Sequence, residues 1–194
     1  MAHGFVRNGT GVETKLDPME IEMISQLLDE LCDLLSHDDD VDPSDADPLA
    51  VELGLESLDN GEVNPPTDPV MARLLPDSYR DDPVASYEFR QYTDAALRRG
   101  KIEDAEAVRT ALAHAQSSPE GLVWVDDAEA PSWLRAINDV RLALGVQLDI
   151  SSESPHSWED IADDDPRAAQ AALYDFLTWW QDSLVRALTG DDEF

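Results

Sequence analysis

Residues 18–36, PMEIEMISQLLDELCDLLS, decide the fold of this chain. Their main apolar residues recur at intervals of three and four, which places them on one face of a helix with acids opposite. These residues are Ile21, Ile24, Leu28, Leu31 and Leu35. Asp17 stands before Pro18, and Glu20 follows three residues after Asp17, which is typical of a capped helix start. The stretch therefore predicts an amphipathic helix that packs on a core.

Helical patterns continue along the chain, several of them introduced by an Asp-Pro pair. They predict short helices at 48–56, 69–75 and 158–162, and longer helices at 83–99, 101–115, 131–144 and 166–188. Gly100 is predicted to separate two of these helices, and Gly145 to end another. The 83–99 helix is expected to bury an apolar side. The members of that side are Val84, Tyr87, Tyr92, Ala95 and Ala96.

The N-terminal residues predict a β-hairpin, because Asn8-Gly9 and Gly11 stand between two β-type runs, 5–7 and 12–16. Residues 122–125, LVWV, form a third such run. Two strands alone are only marginally stable, so we expect residues 122–125 to join the hairpin. The predicted fold class is mainly α: a helical bundle with a small antiparallel β-sheet made of the N-terminal hairpin and residues 122–125.

The length of 194 residues suits a single domain over residues 1–194. Hydrophobic residues make up 42% of the chain, which is enough to fill a core. Residues 37–68 are rich in Asp, Pro, Gly and Asn, and they predict an acidic, partly mobile connector within the domain.

The charge restricts the class of partner. The chain has 13 Lys and Arg against 43 Asp and Glu, a net charge of −30. Nucleic acids and anionic membrane surfaces repel such a chain, and we find no signal-peptide pattern or apolar run long enough for a membrane span. We therefore predict a cytoplasmic protein with no direct contact to nucleic acid or membrane, and a protein partner with a basic surface. Adaptation of the surface to high salt is the other interpretation of the acidity.

The sequence contains no GxGxxG, P-loop, HExxH or GxSxG motif. Asp38, Asp40 and Asp42 alternate as in a calcium-binding loop. Pro43 and Leu49, however, occupy the positions where that loop needs Gly and Glu. We therefore predict no catalytic residue, no metal site, no cofactor and no enzyme activity.

Cys32 is the only cysteine, which excludes an intramolecular disulfide. It stands beside the apolar face of the first helix, among Asp29, Glu30 and Asp33, whose charges disfavour a thiolate. We interpret Cys32 as a half-buried structural residue, and a redox-active thiol is the alternative.

Five residues are candidate contacts with a partner or with a second copy. Trp179 and Trp180 are adjacent on a helix and point about 100° apart, so we expect one of them at the helix edge or in an interface. Arg98, Arg99 and Lys101 form a basic corner between two predicted helices, as in a helix-turn-helix. The second of those helices carries acids that would repel phosphate, so pairing with the protein's own acids is the alternative. A homodimer formed through these residues is a further interpretation.

Three parts of the chain resemble an actinobacterial domain-of-unknown-function family. They are LPDSYRDDP (75–83) with EFRQYT (88–93) and LRRGK (97–101), WLRAINDVRLALG (133–145), and ALYDFLTWWQ (172–181). Members of this family are encoded beside the Clp protease adaptor and include AosR-like oxidative-stress transcription regulators. The resemblance implies a non-enzymatic regulator that acts with a sigma factor or RNA polymerase. This chain departs from a disulfide-sensing version, because Cys32 has no intrachain partner.

We therefore predict a non-enzymatic regulatory protein that acts through protein–protein contacts, in the transcriptional response to oxidative stress that the resemblance implies. An adaptor or accessory factor in Clp-type regulated proteolysis is one alternative, which the gene neighbourhood suggests. An acidic DNA mimic or salt-adapted protein of unknown activity is another, which the net charge suggests.

Overall fold

A computed structural model describes residues 3–36, 63–118, 120–151, 153–154, 156–162 and 164–190. The strands within these ranges are β1 (His3–Asn8), β2 (Gly11–Lys15) and β3 (Leu122–Asp126). The helices are α1 (Pro18–Ser36), α2 (Pro69–Leu74), α3 (Pro83–Gln116), α4 (Ala130–Gln147) and α5 (Ala168–Thr189), with a short 3₁₀ helix at Ser157–Asp160.

The prediction of a mainly α fold with a small antiparallel sheet is confirmed. The predicted helix at 48–56 and residues 37–62 of the predicted connector lie outside the described residues. That residues 1–194 form one domain stays a prediction.

The sheet has the order β1-β2-β3, and both pairs of strands are antiparallel. Val12 in the central strand lies opposite Arg7 on one side and Val125 on the other. The inner face of the sheet packs on the helices through Phe5, whose ring centroid lies 5.0 Å from that of Trp180. The hairpin and the third strand thus form as predicted, and they close one side of the core.

The core is built mainly by α1, α3, α4 and α5. All five residues that define the apolar face of α1 are buried, so that prediction is confirmed. The second half of α3 also buries an apolar face, with Ala105, Val108, Leu112 and Ala115 enclosed. In α1, the second half of α3, α4 and α5, one apolar face turns inward with the 3.6-residue period of a helix.

Several predicted helix boundaries were wrong. Gly100 does not end a helix, because α3 runs through it without a break. A glycine inside a helix costs only about 1 kcal/mol, and ion pairs of Arg98 and Lys101 hold the helix on either side. Gly145 lies inside α4, where it is buried. The last helix begins at Ala168 rather than Pro166, because the Asp165 carboxylate accepts the backbone N–H of Arg167 and holds a turn there.

The predicted capping box at the start of α1 is confirmed. Asp17 Oδ1 accepts the backbone N–H groups of Met19 and Glu20, both at 3.0 Å. Glu20 Oε2 accepts the backbone N–H of Asp17 at 2.8 Å. These bonds satisfy amide groups that have no partner within the helix.

Asp17→Ala is expected to lower the melting temperature by about 2–4 °C, because it removes this N-cap. The backbone N–H of Glu20 lowers the pKa of Asp17, so the contribution of the carboxylate is lost as pH falls through that lowered value. Thermal unfolding at pH 7 checks the effect, with Asp33→Ala, an exposed acid on the same helix, as the control. Equal melting temperatures for the two variants would contradict it.

Candidate functional site

The first half of α3 has inverted polarity. Its buried residues are polar and recur every four positions: Ser86, Arg90, Asp94 and Arg98. Its large apolar residues are exposed: Val84, Phe89, Tyr92 and Leu97.

The prediction of an apolar buried side in this half of α3 was therefore wrong. Val84, Tyr92 and Ala96 are exposed, and Tyr87 and Ala95 are half-buried. Tyr92 keeps 67% of its surface exposed. The reason is that the other side of the helix carries Ser86, Arg90 and Arg98, and these side chains bind backbone carbonyls from other parts of the chain.

Asp94 lies between two buried arginines on the inner side of α3. Arg90 Nη1 donates to Asp94 Oδ1 at 3.2 Å, and Arg98 Nε donates to Asp94 Oδ2 at 2.5 Å. The Asp94 and Arg98 side chains are each 6% exposed. Burying charges is costly unless they are paired and hydrogen-bonded. Asp94 is the carboxylate that the two arginines share, and Arg90 Nη2 also pairs with Asp77 Oδ1 at 2.9 Å.

The two arginines also bind the ends of two other helices. Arg90 Nη2 donates to the carbonyl of Leu75, at the end of α2, at 3.0 Å. Arg98 Nη1 donates to the carbonyl of Leu35, in the last turn of α1, at 3.1 Å. Carbonyls at a helix end have no intrahelical donor and carry partial negative charge, so guanidinium groups suit them. Asp94 thereby connects α1, α2 and α3.

Ser86 holds the loop that precedes α3. Its hydroxyl accepts the backbone N–H of Tyr79 at 2.9 Å and donates to the carbonyl of Tyr79 at 2.8 Å. The Tyr79 ring then meets Phe89 edge to face, with centroids 5.9 Å apart. Tyr92 follows Phe89 by one helical turn. We call Tyr79, Phe89 and Tyr92 the aromatic patch, and all three are exposed.

The predicted basic corner does not form a helix-turn-helix, because α3 is continuous there. Arg98 is buried together with Arg90 and Asp94, a group that we call the Asp94 cluster. Lys101 Nζ lies 2.7 Å from Asp139 Oδ1 on α4. Pairing with the protein's own acids, the alternative from the sequence, is confirmed for these two residues. Arg98 faces the core and is not available to a partner, whereas Arg99 is exposed.

A second charged cluster joins α3 to α4. Arg135 Nε donates to Asp104 Oδ2 at 2.6 Å, one helical turn from the pair of Lys101 and Asp139. Asp139 is 3% exposed, and its Oδ2 atom is buried without a hydrogen-bond partner. Burial raises the pKa of Asp139 although Lys101 opposes the rise. Burial also raises the pKa of Asp104, but hydrogen bonds from Arg135 and Ser132 outweigh it, and the net pKa is lowered.

Asp139→Asn and Asp104→Asn are expected to change the pH dependence of stability in opposite directions. Asp139 has a raised pKa in the folded state, so its contribution is present at low pH and is lost as pH rises through that value. Asp104 has a lowered pKa, so its contribution is present at neutral pH and is lost as pH falls through that value. Urea unfolding from pH 3 to pH 7 measures both effects. Parallel profiles for the two variants would contradict the assignment.

Trp179 and Trp180 differ in burial, as their adjacent positions predict. Trp180 has no exposed surface and packs on Phe5 and Trp133, and its Nε1 donates to Thr14 Oγ1 at 3.2 Å. Trp180 therefore fills the core rather than contacting a partner. Trp179 is 46% exposed and is the member of the pair that a partner could reach.

Cys32 is half-buried on α1, as predicted. Burial raises the pKa of its thiol, and the nearby acids Glu106 and Asp29 add to the rise, whereas Arg109 opposes it. Arg109 on α3 was missed in the sequence, because it lies far from Cys32 along the chain. Its guanidinium also pairs with Asp29 at 2.7 Å. The thiol is therefore held in its protonated, less reactive form.

Peroxide treatment is expected to produce no Cys32-dependent dimer. Oxidation begins from the thiolate, and the raised pKa of Cys32 reduces the thiolate fraction at neutral pH. Non-reducing gels of the wild type and Cys32→Ser after graded peroxide exposure provide the measurement. A dimer at low peroxide that the Ser variant lacks would favour direct sensing.

Within the described ranges, no three His, Cys, Asp or Glu side chains are grouped so that they could hold a metal ion. No helix in that part of the chain is both long enough and apolar enough to cross a membrane.

Residues 2–188 match the family model described as Domain of unknown function (DUF2017). This chain belongs to that family. Two similar relatives come from mycobacteria. The protein named oxidative stress regulator AosR in Mycobacterium tuberculosis is 33% identical over 193 residues, which is 95% of this chain and 85% of the relative. The putative oxidative stress regulator AosR of Mycobacterium leprae is 31% identical over 192 residues, 93% and 84% of the two chains. No solved structure matches.

The Asp94 cluster of this DUF2017 chain was not predicted from the sequence. Its signal is present, since a serine, an arginine, an aspartate and a second arginine stand four residues apart from 86 to 98. Such spacing also describes a solvated face of a helix with salt bridges along it, which is the commoner arrangement. Only the positions of Leu35 and Leu75 show that this face is turned inward.

Proposed function

We propose that this DUF2017 protein is a non-enzymatic regulator of the oxidative-stress response that acts in the cytoplasm by binding another protein. The names of its mycobacterial relatives support the proposed role in the oxidative-stress response. The observation that carries the mode of action is the inverted half of α3. A helix that turns its charges inward and its aromatic rings outward keeps those rings available for a partner.

The aromatic patch has the composition of an interface centre. Tyr and Phe are enriched in protein interfaces, because they bury a large area with few rotatable bonds. Ser86 fixes the backbone of Tyr79, and the Asp94 cluster fixes the rotation of α3 about its axis. The patch is therefore held rigid before binding, which reduces the entropy cost of association.

The partner that suits this surface is basic. Glu88 is exposed and stands next to Phe89 in the chain, and the whole chain carries a net charge of −30. The family resemblance implies a sigma factor or RNA polymerase, and the surfaces with which such proteins bind DNA are basic. Trp179 and Arg99 keep their predicted role as further contact candidates. We expect no binding of the pure protein to duplex DNA at physiological salt, because the charge opposes it.

The test is complementation of a strain that lacks the protein, combined with purification of the bound partner. The wild type is expected to restore the wild-type transcriptional response to peroxide, and Phe89→Ser/Tyr92→Ser is expected to lose both the response and the partner. Leu122→Ser/Trp124→Ser is the matched control, because it removes two exposed apolar side chains from the sheet instead. Full function of the Phe89→Ser/Tyr92→Ser variant would overturn the proposed surface. A normal peroxide response without any copy of the protein would overturn the proposed setting.

A further inference from the structure

A second surface feature lies away from α3, where α1, the start of α2, α4 and α5 meet. It is a half-open cavity of about 340 Å³, which we call the four-helix pocket. Its apolar walls come from all four helices and include Leu27, Leu31, Leu34, Val70, Leu144 and Leu173. A largely apolar cavity of this size falls in the range of binding pockets for small ligands or side-chain anchors.

The polar residues at the pocket carry negative charge or none. Glu30 and Asp68 are the charged residues that line it, and Gln147 and Gln170 are the neutral polar ones. Asp68 is held in place because its Oδ1 accepts the backbone N–H of Met71 at 2.9 Å. Among the described residues that line the pocket, there is no Lys or Arg.

We infer that the four-helix pocket receives apolar side chains from an amphipathic segment of the partner, with Lys or Arg flanking those side chains. This inference rests on the proposed function, since it requires a protein partner. Apolar groups of the segment would fill the pocket, and its cations would meet Glu30 and Asp68. An amphipathic helix laid in an apolar groove is a common mode of peptide recognition.

Charge favours this occupant over two others, which are residues 37–62 of the same chain and a second copy of the chain. Residues 37–62 of the same chain contain ten Asp and Glu and no Lys or Arg, so they carry the same sign as Glu30 and Asp68. A second copy brings a net charge of −30 to the same place. A basic partner segment is the occupant whose charge complements the pocket.

The probe is an 18-residue synthetic helix-forming peptide of Leu and Lys, with its leucines along one face. A scrambled peptide of identical composition, which has no apolar face, measures attraction to the acidic surface alone. Calorimetry is expected to show binding of the amphipathic peptide to the wild-type protein at least tenfold tighter than binding of the scrambled one. Ala143→Phe, which places a ring at the pocket wall, is expected to remove this preference. Ala107→Phe, the same change at an exposed site on α3, is expected to keep it.

Charge reversal provides a second test that leaves the core intact. Glu30→Lys at the pocket is expected to weaken binding of the amphipathic peptide more than Glu103→Lys, which makes the same charge change on exposed α3 surface. The inference is overturned if both peptides bind equally, or if Ala143→Phe and Glu30→Lys match their controls. A dimer in sedimentation that Ala143→Phe abolishes would assign the pocket to a second copy and would also overturn it. The peptide tests need no cellular partner. Their outcome is therefore independent of the complementation experiment that tests the proposed function.

Discussion

Asp94→Ala is expected to destabilise the folded protein by about 3–5 kcal/mol, because it leaves two buried guanidinium groups without their shared carboxylate. Arg90 and Arg98 are both buried, so water cannot replace the lost partner without opening the structure. Arg90 already has a buried Nε atom without a hydrogen-bond partner. The loss is measured as a change in the free energy of unfolding by urea at pH 7.

Two controls define the cause of that loss. Glu103→Ala removes an exposed acid from the same helix and is expected to change stability by less than about 0.5 kcal/mol. Replacing Arg90, Asp94 and Arg98 together by Met, Leu and Met is expected to recover part of the loss, since no buried charge is then unpaired. Recovery is incomplete, because the carbonyls of Leu35 and Leu75 lose their donors. Equal stability of Asp94→Ala and Glu103→Ala would show that the cluster contributes nothing.

Gly121→Ala is expected to destabilise the protein by about 3–5 kcal/mol, through backbone strain combined with a steric overlap. Gly121 has φ of +60°, and a Cβ atom there would lie 2.0 Å from the carbonyl oxygen of Leu16. The two residues are also hydrogen-bonded, since Leu16 N donates to Gly121 O at 3.0 Å. The methyl group would therefore separate the end of β2 from the start of β3.

Gly9→Ala is the matched control for this change. Gly9 has nearly the same φ, +63°, but no atom lies within 4 Å of its hypothetical Cβ. Its expected cost is therefore the left-handed conformation alone, about 1–2 kcal/mol. Urea unfolding of the two variants isolates the overlap as the difference between them. Equal losses would mean that the backbone at Leu16 moves away from the new methyl group with no loss of stability.

Local signals in the sequence were enough to determine α1, the hairpin and the fold class. The 3-4 spacing from Ile21 to Leu35 and the cap at Asp17 act within a few residues, so they require no knowledge of the rest of the chain. The hairpin turn is equally local: it lies at Gly9-Thr10, one residue after the predicted start at Asn8, and Gly9 has the positive φ that such turns need. The half-buried position of Cys32 follows from its place beside that apolar face. The difference between Trp179 and Trp180 follows from the 100° turn between them.

Only the tertiary structure decided the orientation of α3 and the composition of the sites. Arg98 is buried because the carbonyl of Leu35, 63 positions away, receives its guanidinium, and Arg90 is buried because Leu75 and Asp77 approach it. The pairing of Lys101 with Asp139 and the walls of the four-helix pocket likewise join helices that are distant along the chain. Periodicity shows that a helix has two faces, but polarity identifies the inner one only when the core is apolar. A buried charge is stabilised by partners that local spacing does not contain, so its position depends on packing.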